Sequence, residues 1–410
     1  MRRAHPLLRS CANAGVLIII ALVARPLPAE DSAPQRPWRF IYNCDANNMF
    51  IYKKPPMTPE DIHDHVDRVA ASGVTTFFMS PNNGMVMNFR SRHARMLGDE
   101  GNPEIRRRIV EEGMAKSGTN ARAALNFQGL ADAGHDPLGL VLQRAKDKGM
   151  ESFVSFRLNE VHGVDTPDDF PQLMIISRCW REHPEWHIGK PGSTLSALHQ
   201  QIMGPRTSPI VGRWLPGGLD FSFPQVRERR IAQLRECCER YDIDGLDLDF
   251  QRFPAYFMYG EEGRHLPTMT AWVRQVREMT HEVGARRGRP LLLCARIMAR
   301  PEQNLALGLD PVTWVRDGLV DFVTVSHYLR NDFTLPVSEY RRLLPEKAPI
   351  YASIEYEPEA ETYRRLAREL HEQGVDGLMV FNYFARRESG GRIDFDLLAE
   401  LASRHASEGP

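Results

Sequence analysis

Short apolar runs recur along the chain, and amphipathic stretches separate them. The runs lie at 39–43, 74–79, 151–156, 245–250, 290–296, 321–326, 349–355 and 377–383. Runs of this length and character mark strands buried on both faces of a parallel sheet. Helical spacing fills the intervals at 224–241, 269–287, 359–373 and 395–405. Thr58-Pro59-Glu60-Asp61 predicts a capped helix start, with proline at the first helical position and acid in the first turn. Asp136-Pro137 and Asp310-Pro311 open helices in the same way, and Gly149, Gly374 and Gly377 stand where the chain turns back into a strand.

Eight strands alternating with helices predict an α/β fold, the (β/α)8 TIM barrel, as one domain spanning residues 37–406. An open doubly wound sheet is the competing arrangement. No G-x-G-x-x-G or G-x-x-x-x-G-K follows the first strand, so nucleotide binding has no support. Two connections are long, 80–136 after strand two and 157–224 after strand three. Both follow strands, so both fall on the C-terminal rim, where barrel active sites are built.

Composition adds little to this and removes several alternatives. The 410 residues carry 52 Lys and Arg against 53 Asp and Glu, which leaves no global basic field to collect nucleic acid. A mean hydropathy of −0.40 excludes a polytopic membrane protein. The longest apolar run, residues 14–24, follows Arg2 and Arg3. It is short for a membrane span and suits an export signal, so residues 1–29 are expected to be a signal peptide and the mature chain periplasmic or secreted, with no membrane span. An uncleaved anchor is the alternative. Six cysteines form no C-x-x-C pair, so a structural zinc is not expected, and buried free thiols are favoured over a disulfide.

The chemistry concentrates at strand ends. In strand four, Asp244-Gly245-Leu246-Asp247-Leu248-Asp249-Phe250, the period of two sends Leu246, Leu248 and Phe250 toward the helices. Asp247 and Asp249 then point together into the barrel, with Asp249 nearer the rim. Two inward carboxylates repel one another in a dry interior, which marks them as site candidates. Glu355 ends strand seven and can face Asp249 across the mouth. Arg157, Asn159 and Glu160 end strand three, Arg296 ends strand five, His327 and Tyr328 follow strand six, and Tyr383 ends strand eight. Polar and aromatic groups at so many strand ends suit a sugar, which needs hydrogen bonds and an apolar face for its C–H groups. Trp180, Trp186 and Trp214, in the long connection after strand three, are candidate faces, with Trp214 expected to touch sugar.

The strand-four segment, continued by Gln251-Arg252-Phe253-Pro254, resembles the signature of the glycosyl-hydrolase-like family ten, a bacterial envelope family with a (β/α)8 barrel. His183-Pro184-Glu185-Trp186, Leu219-Asp220-Phe221 with Pro224 to Arg227, and Gly318 to Val323 are similar to further elements of that family, over roughly residues 150–330. The resemblance implies a carbohydrate-active barrel in which Asp249 and Arg252 are signature residues, and bacterial cell-wall glycan is a substrate class it brings with it. Asp244 to Gln251 is also similar to the D-G-x-D-x-D-x-E motif of family eighteen chitinases, where the last position is the acid catalyst. Here that position is Gln251, and an amide does not donate an acidic proton.

The expected function is therefore an exported glycoside hydrolase acting on a polysaccharide or cell-wall glycan, with neither metal nor cofactor. Asp249 and Glu355 are the expected catalytic pair and Asp247 tunes Asp249, while Glu160 is the next choice for the second carboxylate. Arg157, Asn159, Glu160, Trp214, Arg252, Arg296, His327, Tyr328 and Tyr383 are expected at the substrate, with Arg157, Arg252, Arg296, His327 and Tyr383 holding it or ordering the carboxylates. The alternative from another class is a carbohydrate-binding barrel without catalysis.

Overall fold

All eight apolar runs form strands, because each is buried on both faces. They are β1 (Arg39–Cys44), β2 (Thr76–Met79), β3 (Glu151–Arg157), β4 (Gly245–Asp249), β5 (Leu292–Met298), β6 (Phe322–Ser326), β7 (Ile350–Ile354) and β8 (Gly377–Phe381). Every strand pairs in parallel with its neighbours in sequence, and β8 pairs with β1 to close the barrel. This is the (β/α)8 architecture. The structure is a computed structural model and describes residues 38–45, 48–99, 101–115, 119–204, 208–329, 335–383 and 393–407. The expected signal peptide, residues 1–29, lies outside the described residues.

The helix starts follow the expected chemistry. Thr58 and Asp61 form a reciprocal capping box at the head of the helix Pro59–Ala71. The Asp136 and Asp310 side chains accept from the backbone N–H groups of Gly139 and Thr313, capping helices Pro137–Asp147 and Pro311–Arg316. The two long connections hold secondary structure that the hydrophobic pattern did not reveal. After β2 come a ribbon of Asn82–Asn83 with Val86–Met87 and the helices Pro103–Met114 and Thr119–Asp132. After β3 come short helices, among them Arg178–Glu182, Ala197–Met203 and Pro209–Trp214. The five described cysteines, Cys44, Cys179, Cys237, Cys238 and Cys294, are free thiols.

Inward side chains fill the barrel in layers. At its N-terminal end, Arg39 bonds Glu151 and Tyr351, and Thr76 bonds Glu151 at 2.8 Å. Above lies an apolar plug of Ile41, Phe78, Phe153, Cys294, Phe322 and Met379, with Phe78 stacked on Phe153 at 4.7 Å. The plug explains the glycine of β4: Gly245 faces inward, and a Cβ there would lie inside the Phe153 ring. Gly245→Ala is expected to destabilise the fold by about 1–3 kcal/mol, the usual cost of overpacking. Urea unfolding measures this, and a midpoint equal to the parent's would show that Phe153 shifts freely.

Candidate functional site

The period-two reading of β4 places Leu246, Leu248 and Phe250 in the shell shared with the helices, and Asp247 and Asp249 in the barrel. Asp247 is fully buried. Its carboxylate accepts from Ser155 Oγ at 2.7 Å and from the Cys294 thiol at 3.4 Å, and Ser155 in turn accepts from Asn43 Nδ2 at 3.3 Å. This chain of neutral donors lies beneath the mouth. Burial, and then the nearby charge of Asp249, push the Asp247 carboxyl up to about 7.

One layer above, Asp249, Arg296 and Glu355 form a single cluster, each 1% exposed. Register brings them together, since Arg157, Asp249 and Arg296 are consecutive cross-strand partners on β3, β4 and β5. Arg296 Nη1 donates to Asp249 Oδ2 at 3.3 Å, and its Nη2 donates to Glu355 Oε1. Ser326 and Ser353 hydroxyls also donate to Glu355 Oε1, each at 3.0 Å. Asp249 Oδ1 accepts the backbone N–H of Gln251 at 2.9 Å. The Arg296 guanidinium lies 3.9 Å from the centre of the Phe381 ring. So of the two roles expected for Arg296, holding substrate or ordering the carboxylates, its contacts are those of the second.

A second cluster adjoins the first. Arg157 bonds Glu160 Oε2 at 3.1 Å and also Asp45, the residue that follows β1. Glu160 Oε1 bonds His162 Nδ1, whose Nε2 faces Arg252 Nη2 at 3.3 Å. Burial works to raise the Glu160 carboxyl, but His162, Arg157 and Arg252 outweigh it and hold the group at about 2. Glu160 is therefore ionised at any working pH. The His162 ring, half-buried, packs against Phe253 at 4.9 Å and Trp214 at 5.2 Å. Trp214 Nε1 donates to Asp165 at 2.7 Å, which fixes the indole beside this cluster.

Other expected residues are placed differently. Asn159 bonds Leu219 in both directions, at 3.0 and 2.8 Å, and donates to Ala255 O at 2.5 Å, so its amide clips the long connection to the barrel. Tyr383 packs on Tyr42 and Tyr363, and its hydroxyl donates to Asp394 O at 2.7 Å, in the layer between strands and helices. Neither polar group points at the carboxylates. Trp180 is buried and donates to Gly217 O at 2.8 Å, which makes it a packing residue. His327 is buried next to the Ser326 that holds Glu355, and Tyr328 is buried with its ring 6.3 Å from Phe253. Gln251 Nε2 donates to Ile297 O and Ser326 O, at 2.7 and 2.6 Å, so this amide fastens β4 to its neighbours instead of taking the acid's place.

Sequence reasoning missed Asp45 and the partnership of His162 with Glu160. Asp45 could have been found by applying to β1 the strand-end rule that singled out Asp249 and Glu355.

No protein-family model and no curated protein sequence matches the chain. Assignment to glycosyl-hydrolase-like family ten thus has no support from sequence comparison. Solved structures do resemble it. The glycoside hydrolase domain of PgaB (BpsB) from Bordetella bronchiseptica superposes with a TM-score of 0.53 at 12% identity, over 89% of this chain and 99% of that one. An endo-1,4-beta-mannanase from Rhizomucor miehei gives 0.48 at 10% identity, over 91% and 96% of the two chains. A maltogenic alpha-amylase from Thermotoga neapolitana gives 0.44 at 13%, over 90% and 76%. The first of these similarities establishes that this chain shares the TIM-barrel fold of a glycoside hydrolase domain.

Proposed function

We propose that the protein is a glycoside hydrolase acting on a polysaccharide or cell-wall glycan, with Asp249 and Glu355 as its carboxylate pair. The observation that carries this reading is the convergence of both carboxylates on one guanidinium at the C-terminal mouth of the barrel. Glycoside cleavage needs one carboxyl to protonate the leaving oxygen and one carboxylate to attack or to activate water. The 3.3 Å contact of Arg296 with Asp249 is the looser of its two, so Asp249 is the group that can leave the guanidinium and take the proton. Glu355, with three donors on one oxygen, is the carboxylate held in place to attack or to activate water. Glu160 is already committed to Arg157 and His162.

Release of reducing ends from a panel of polysaccharides and bacterial cell-wall glycan tests this reading. A second reading has its own support: the 1% exposure of Asp249 and Glu355 and their sharing of Arg296 also suit a structural clamp. The protein would then bind glycan without cutting it, and binding with no reducing-end release would favour that reading.

Trp214 supplies the apolar face in either case. Trp214→Ala is expected to weaken glycan binding by about 1–3 kcal/mol, seen as a raised KM. An unchanged KM in a folded variant would leave the indole as packing for His162 and Phe253. Export is part of the same proposal and rests on Arg2, Arg3 and the apolar run 14–24. Cell fractionation should find the protein outside the cytoplasm, and full-length chain confined to the cytoplasm with Met1 retained would refute it.

A further inference from the structure

Three arginines stand at the barrel mouth, and two of them are matched by acids. Arg157 is shared by Asp45 and Glu160, and Arg296 by Asp249 and Glu355. Arg252 is different. It is 5% exposed, yet it forms no ion pair with any described residue. Its Nη2 faces His162 Nε2 at 3.3 Å and neither Nη meets a carboxylate of a described residue, while its Nε, like those of Arg157 and Arg296, is buried without a hydrogen-bond partner. The guanidinium rests against the Phe253 and Phe381 rings, 5.1 and 5.9 Å from their centres.

His162 positions this charge but does not neutralise it. Its Nδ1 lies on the Glu160 carboxylate, which assigns the ring proton to Nδ1 and leaves Nε2 to accept from Arg252. Tyr328 adds a second unanswered donor. It is 2% exposed, its hydroxyl has no partner among the described residues, and it feels the charges of Arg252, Glu160, Asp249 and Glu355. Buried donors are almost always satisfied, so the Arg252 guanidinium and the Tyr328 hydroxyl at one mouth call for an acceptor that the described residues do not supply. A charged donor calls for an anion.

We propose that Arg252 and Tyr328 recognise a carboxylate on the substrate, so that the glycan handled here carries an acidic sugar of the uronic type. This deepens the hydrolase reading and rests on the same mouth. The four acids there all pair with Arg157 and Arg296, so Arg252 is the guanidinium of the three whose bonds remain to be offered to a single negative charge. The planar fork of arginine fits a carboxylate through two parallel N–H bonds. Glu160 does not compete, because Arg157 and His162 hold both of its oxygens.

The experiment compares polygalacturonate, alginate and hyaluronan with the same polymers after reduction of their carboxylates to alcohols. Binding is read by affinity electrophoresis and cleavage by reducing ends. At least one acidic polymer is expected to bind at least about 10-fold tighter than its reduced form. Arg252→Gln should abolish that preference, and Tyr328→Phe, which removes only an unbonded hydroxyl, should weaken it. Equal affinity for acidic and reduced forms in all three pairs, or no binding to any, would overturn the inference. So would a preference that survives in folded Arg252→Gln. Preferential binding without cleavage would instead remove the hydrolase reading and leave this inference standing. Cleavage of neutral glycan with no acidic preference would do the reverse.

Discussion

If Asp249 is the proposed acid–base group, Asp249→Asn is expected to lower kcat on a cleaved glycan by at least about 10²-fold, the usual scale for such a group. The change keeps the shape of the side chain and removes its ability to hold and deliver a proton. Both hydrogen bonds to the Asp249 carboxylate come from donors, the Gln251 N–H and Arg296 Nη1, so an asparagine must set its own NH2 against one of them. Some loss of stability therefore accompanies the loss of rate, of about 1–3 kcal/mol for an unsatisfied buried group. Rates are to be compared on protein shown to be folded by near-UV circular dichroism. Catalysis and clamping part company at this point. If Asp249 only holds Arg296, the folded variant works at the parental rate and merely unfolds sooner. If it carries the proton, rate is lost even where the variant is fully folded. Full activity in folded Asp249→Asn would end its role in the mechanism and with it the pairing with Glu355.

The parts of this molecule that were legible in the sequence are those that depend on local pattern. A strand covered on both faces has to be apolar, so all eight strands announced themselves as runs. A strand's side chains alternate, so Asp247 and Asp249 were assigned to the interior from their spacing alone. What stayed hidden depends on which side chains meet across the barrel. Nothing near Arg296 says that it is taken up by Asp249 and Glu355, because those partners lie 47 and 59 residues away. Asn159 reads as a strand-end hydrogen-bonding group, yet Leu219 and Ala255 occupy its amide. Tyr383 likewise reads as a rim residue and turns outward onto Tyr42 and Tyr363. The helices Arg178–Glu182 and Pro209–Trp214 after β3 escaped because five or six residues show too little of a 3.6-residue period to be recognised.

Asp247→Asn is expected to stabilise the protein at neutral and alkaline pH and not at acid pH. In the folded chain the Asp247 carboxyl is fully buried, with only a hydroxyl and a thiol bonded to it, and burial raises it from the ordinary 3.8 to about 7. Between those two values the unfolded chain has released the proton that the folded chain retains. The folded state therefore binds more protons, and stability falls as pH rises through this window, reaching a constant lower value above about pH 7. Three units at 1.36 kcal/mol each set the whole effect at up to about 4 kcal/mol. Asparagine carries no charge at any pH and so escapes this loss. The Ser155 hydroxyl can turn to accept from its NH2. Urea unfolding from pH 4 to pH 8 should show the variant gaining steadily on the parent and the gain levelling off near pH 7. A difference of the same size at pH 4 and pH 8 would mean that Asp247 does not change its protonation in this range. Asp247 lies one layer below Asp249 on the same face of β4, and the use expected of it is to tune the mouth above. The pH profile of kcat in Asp247→Asn reads that use: it should shift if the Asp247 charge acts on Asp249, and a profile identical to the parent's would confine Asp247 to holding Ser155 and Cys294.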